Sequence, residues 1–178
     1  AVTTLTVSGS TIGGTGLLTN ATGLTVATSI INAPFSNQAL LTTHGNCTIG
    51  STAGNFTQAA TGTILLEGNT ANGGAALTVT NAFTNAGHIE LTNTAVNQAA
   101  TLTVSNGILT STGTLDVLVG AGGGARTLAL ALDNQGTTNV GTAATLNKNG
   151  SVAHSNSGTI NVTGGIFTVT LSGTDSFS

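Results

Sequence analysis

Short alternations of apolar and polar residues recur along this chain at a nearly fixed spacing. In Leu77-Thr78-Val79 and Leu102-Thr103-Val104 the aliphatic side chains fall on one side of an extended strand and the threonine on the other. Leu5/Val7, Leu24/Val26, Leu128/Leu130 and Phe167/Val169/Leu171 repeat the pattern. A second alternation follows a glycine: Ile64/Leu66 after Gly62, Ile89/Leu91 after Gly87, Leu115/Val117 after Gly113, Val140 after Gly136 and Ile160/Val162 after Gly158. A third apolar position precedes the glycine by four residues, at Phe83, Leu109 and Leu132, and Phe35 holds the matching place before Ala39. The five glycines lie 25, 26, 23 and 22 residues apart. Three short strands per repeat, at such a period, describe a stack of wound coils.

The expected fold is therefore all-β: a parallel β-helix (β-solenoid) of about 7–8 coils of roughly 22–26 residues, forming one domain over residues 1–178. Its coils are least regular over residues 8–46. Leu, Val, Ile and Phe at equivalent positions would stack into an interior column, at a coil spacing of roughly 4.8 Å. Gly and Asn are expected at corners, where a left-handed backbone is cheap for them. The run Gly120 to Gly124 reads as a flexible loop between coils, and Pro34 as a corner or edge. A β-sandwich of the immunoglobulin, jelly-roll or pilin type also has short strands between turns. It would not require one pattern to recur every 22 to 26 residues, and the usual buried Trp or Tyr is missing from a chain with neither residue.

The segments Leu128 to Gly136 and Leu77-Thr78-Val79 through Phe83-Thr84-Asn85-Ala86-Gly87 resemble the repeats of filamentous-haemagglutinin-type exoproteins and of autotransporter passengers. The resemblance covers nearly the whole chain. It implies a right-handed parallel β-helix on a bacterial surface, acting in adhesion or as an extended stalk.

Composition narrows the function. Only 4% of residues are charged and the net charge is −3. With Arg126 and Lys148 as its sole Lys and Arg residues, the chain cannot neutralise a phosphate backbone, which excludes nucleic acid as a partner. Attachment to anionic lipid fails for the same reason. Thr and Asn interrupt every apolar run, so no segment approaches the ~20 apolar residues of a membrane helix. The one cysteine, Cys47, occupies an inward slot of a Leu-Thr-Val-like triplet and is expected to be buried and inert. The Thr/Asn/Gly-rich composition points to an extracellular or cell-surface setting, and the lack of Met to a processed or excerpted chain.

Few residues offer chemistry. Three positions after each glycine the chain places Leu65, Glu90, Asp116, Asn139 and Asn161, all expected to point outward in one ladder. Glu90 and Asp116 would then stand roughly 5 Å apart. That is a weak candidate for a calcium site or for the acid pair of a carbohydrate-active enzyme, set against a solvated face with two tolerated acids. His88 takes a slot held elsewhere by Thr63, Thr114, Thr137 and Thr159, His154 one held by Phe or Leu, and His44 an irregular stretch, so the histidines are not expected to converge. Outward Thr-x-Thr arrays, such as Thr78/Thr80 and Thr101/Thr103, resemble those of ice-binding solenoids but break at Ala129/Ala131.

The preferred expectation is a non-enzymatic structural or adhesive protein with no cofactor and no catalytic residue. Its partners would be itself, as a head-to-tail homopolymer or as part of a longer polypeptide, and surface glycans. The edges expected to carry assembly are Val2, Leu5 and Val7 at one end and Phe167, Val169 and Leu171 at the other. Carbohydrate binding or turnover and ice binding are the alternatives.

Overall fold

In a computed structural model, which describes residues 4–50, 56–148, 152–172 and 174–178, the chain forms a parallel β-solenoid of about seven turns. Among these residues there is no helix, and every pairing between named strands is parallel. Each turn visits three faces in the same order. The first face begins with Leu5–Ser8, continues through Leu24–Ala27 and the start of Leu40–Ile49, and ends at Thr159–Val162. The second runs from Thr11–Ile12 to Phe167–Thr170 and the third from Leu18–Asn20 to Ser176–Phe177. Three strands, Leu40–Ile49, Ala100–Ser111 and Arg126–Asn134, turn a corner and serve two faces.

The period-two alternation sets which side chains go inside. Leu77, Leu102 and Leu128 stand in register on the second face and are fully buried, while Thr78, Thr103 and Ala129 point out. Cys47 shares the Leu77 column and is buried, as its slot requires. On the third face the column runs Leu18, Phe35, Phe56, Phe83, Leu109 and Leu132. The ring centroids of Phe35 and Phe56 lie 5.5 Å apart and those of Phe56 and Phe83 5.1 Å apart.

Register partners on the first face give the length of each turn. From Leu41 to Ile64, Ile89, Leu115, Thr138 and Ile160 the steps are 23, 25, 26, 23 and 22 residues. The first two steps, Leu5 to Leu24 and Leu24 to Leu41, are only 19 and 17. The early turns keep the three-face order but have shorter connections and shorter second-face strands, Thr11–Ile12 and Ile30–Ile31 having two residues each where Ala75–Val79 has five.

The repeating glycines have a different reason from the expected one. Gly62, Gly87, Gly113, Gly136 and Gly158 are not among the residues with positive φ. They sit at a corner where successive turns touch backbone to backbone. A Cβ on Gly113 would lie 2.0 Å from the carbonyl oxygen of Gly87, and one on Gly136 2.1 Å from that of Gly113. Left-handed glycines occur elsewhere, notably Gly120, Gly122, Gly123 and Gly124. That run connects the first and second faces within one turn.

Candidate functional site

The outward ladder of the first face forms as its spacing dictates. Leu65, Glu90, Asp116, Asn139 and Asn161 are direct partners on successive strands. Glu90 and Asp116 thus stand on adjacent rungs, both half-buried. The hydrogen bonds, however, tie Asp116 to other neighbours. Its Oδ1 accepts from Asn139 Nδ2 at 2.7 Å, and Asn161 Nδ2 in turn donates to Asn139 Oδ1 at 2.9 Å. Its Oδ2 lies 2.9 Å from His88 Nε2, which reaches diagonally from the preceding rung. His88 stands in the column of Thr63 and Thr114, so an otherwise ordinary surface slot supplies the partner of the acid. Among the described residues no three His, Cys, Asp or Glu side chains are gathered so as to hold a metal ion.

His44 lies apart from this ladder. Its Nδ1 is 2.8 Å from the carbonyl oxygen of Glu67 and 2.8 Å from Asn69 Nδ2, and its Nε2 is 3.9 Å from the Glu67 carboxylate.

On the second face one threonine column is unbroken over four rungs, Thr101, Thr127, Thr145 and Thr168. Its neighbour holds Thr48, Thr78 and Thr103, then passes to Ala129. The Thr-x-Thr lattice is therefore complete only at Thr101/Thr103 and Thr168/Thr170, with alanine and asparagine interrupting it between.

Two polar constructions lie inside the stack and were not foreseen from the sequence. The first is a column of amides two residues after the apolar column of the third face. Asn20 Nδ2 donates to Asn37 Oδ1 at 2.6 Å, and Asn37 Nδ2 to Gln58 Oε1 at 2.8 Å. Higher in the stack Asn85 Nδ2 donates to Ser111 Oγ at 3.1 Å and Asn134 Nδ2 to Asn156 Oδ1 at 2.7 Å. The same Nδ2 groups also reach the carbonyls of Leu40, Thr63, Thr114 and Thr159 across the corner. These asparagines therefore stand in a corner for their amides, not for a left-handed backbone.

The second construction is Arg126, 2% exposed. Its Nε donates to the carbonyl of Leu118, its Nη2 to that of Val119 and its Nη1 to that of Gln98, at 3.0 to 3.1 Å. Longer contacts reach the carbonyls of Gly123, Gly124 and Ala125. Burial pulls the guanidinium below its ordinary pKa, yet such a group stays charged at any physiological pH. Arg126 pins the Gly120–Gly124 connection, which is a fixed part of its turn.

The edge residues are placed as follows. Leu5 is 50% exposed, whereas Leu24, its partner on the next rung, is 4% exposed. Val7, Phe167 and Val169 are partly buried against the core, and Leu171 is exposed. Val2 falls outside the described residues. No known protein family, curated protein or solved structure matches this chain.

Proposed function

We propose that this chain is a non-enzymatic structural or adhesive element of an extracellular surface fibre. The observation that carries the reading is the parallel pairing of all three faces from the first described rung to the last, around a largely apolar interior and a column of corner glycines from Gly62 to Gly158. Such a body is a stiff rod whose function lies in its length and its hydroxyl-and-amide skin. The inward side chains left open on the first and last described rungs, Leu5 at one end and Val162 and Phe177 at the other, suit cover by a further rung through the same parallel pairing. That rung comes from a second copy or from the same polypeptide. The sequence resemblance to filamentous-haemagglutinin-type and autotransporter repeats agrees with this role and with a bacterial cell surface.

Electron microscopy and sedimentation velocity of the purified chain test the reading. Rods that lengthen with protein concentration are expected. A population that stays compact and monomeric at all concentrations would count against assembly of copies. A carbohydrate-active role is tested separately by reducing-sugar release from polysaccharides. No turnover is expected, and turnover abolished by Asp116→Asn would overturn the non-enzymatic assignment.

A further inference from the structure

The third-face column contains one titratable side chain. His154 occupies the place that Leu109 and Leu132 hold in the two rungs beneath it, and it is 0% exposed. Phe177 covers it from the rung above, with ring centroids 6.2 Å apart and planes 26° apart. The Leu132 N–H donates to His154 Nδ1 at 3.2 Å. A nitrogen that accepts cannot carry the proton, so the neutral ring bears it on Nε2. That Nε2 is buried and has no hydrogen-bond partner. The ring thus fills an apolar hole in one tautomer only.

We propose that His154 is an acid-sensitive latch, whose protonation releases Ser176–Phe177 from Ala153–Asn156 and opens the last described rung of the third face.

The added proton must go to Nδ1, the atom that now accepts from the backbone. The Leu132 bond then breaks, and two N–H groups face each other inside the core with a net positive charge between them. Water supplies what the core cannot, so the charged ring is stabilised only when the covering rung lifts. Among the described residues the Asp175 carboxylate, on the connection that leads into Ser176–Phe177, is the charged group that favours the protonated ring. It is already engaged, accepting from the N–H groups of Val152 and Ser172 at 2.7 and 2.9 Å. Asp133, on the strand beneath, faces outward to Ser155 and Gln135.

Burial holds the His154 pKa below its ordinary value and outweighs the opposing pull of Asp175. The opened rung exposes a histidine of ordinary pKa, about 6.5. A depressed basic group contributes full stability above that value, and the contribution falls as pH drops below about 6.5 towards the lower closed-state value. Asp175 is held below the usual carboxylate range, chiefly by the Val152 N–H, so it remains ionised across this window.

Hydrogen exchange of the whole chain, corrected for intrinsic rates, tests the latch between pH 7.5 and 5. The reporters are the amides of Ser176 and Ser178, which donate to the carbonyls of Val152 and His154. Their protection is expected to fall on acidification below about pH 6.5, by up to about a factor of ten for each pH unit over which the closed ring stays neutral. His154→Leu, which continues the leucine column, is expected to abolish the fall. Unchanged protection in the wild type, or an equal fall in His154→Leu, would overturn the proposal. A proton-detected nitrogen spectrum of the wild-type imidazole gives an independent readout. It should place the proton on Nε2 at pH 7.5, and a proton on Nδ1 would equally refute the latch.

Discussion

At the scale of single residues, the glycines that mark each turn are required by contact between turns. A methyl group on Gly113 meets the Gly87 carbonyl at 2.0 Å, a separation that only backbone movement relieves. Gly113→Ala is therefore expected to destabilise the fold by about 3 kcal/mol, the upper range for overpacking, in urea or guanidinium denaturation. Gly13→Ala, where nothing lies within 4 Å of the new carbon, is the matching control and should shift stability by less than about 0.5 kcal/mol. The spacing of these glycines was legible in the sequence. Their reason was not, because a contact with the preceding turn has no local signature. Arg126 hid for a related reason. Its column on the second face holds Gly45, Ala75 and Ala100 in the rungs beneath it, and a charge in a small-residue slot was the available sign. Arg126→Leu would leave several buried carbonyls without donors and is expected to cost about 3 kcal/mol, read as a lower denaturation midpoint.

At the scale of strands, side-chain parity decides most of the structure. Within one face every second residue points in, so one correctly placed leucine orients the strand up to the next corner. This is why the Leu65, Glu90, Asp116, Asn139, Asn161 column could be placed from sequence to the residue. What parity does not give is which neighbour a polar group selects. Asp116 pairs with Asn139 and with His88 because donors there lie within 2.9 Å, while its column partner Glu90 offers only another carboxylate. The interior amides show the same limit. Asn37 bonds Gln58 ahead of it and is bonded by Asn20 behind it, so the third face is held by side chains as well as by its backbone ladder. Asn37→Leu would remove the acceptor of one Asn20 N–H, whose other N–H keeps the Leu40 carbonyl, and the donor to the Gln58 oxygen. A loss of about 2–4 kcal/mol follows from two orphaned buried groups, whereas Thr84→Val on the outward side of the same face should change stability by less than about 0.5 kcal/mol.

At the scale of the whole molecule, the stack behaves as a one-dimensional array, in which each turn touches only the turns beside it. Equivalent turns are then interchangeable, provided the cut falls at equivalent points. Gly136 and Gly158 are such points: both follow the amide column, and Thr137 and Thr159 are register partners immediately after them. Removing residues 137–158 joins Gly136 to Thr159 and should place Ile160 over Leu115, Val162 over Val117 and Phe177 over Leu132. Each of these is one step along a pairing already present. The shortened chain is expected to fold with an unchanged far-ultraviolet β signature. In small-angle scattering its long axis should be shorter by one coil spacing, roughly 4.8 Å. Removing only residues 137–147, half a turn, would set the third face on the first and the inward leucines against outward threonines. That variant should aggregate or remain unfolded. The 22-residue deletion also removes His154, so its last rung should lose the acid response while keeping its fold. If both deletions fold equally well, or neither does, the turns are not equivalent units and the rod-like reading loses its physical basis.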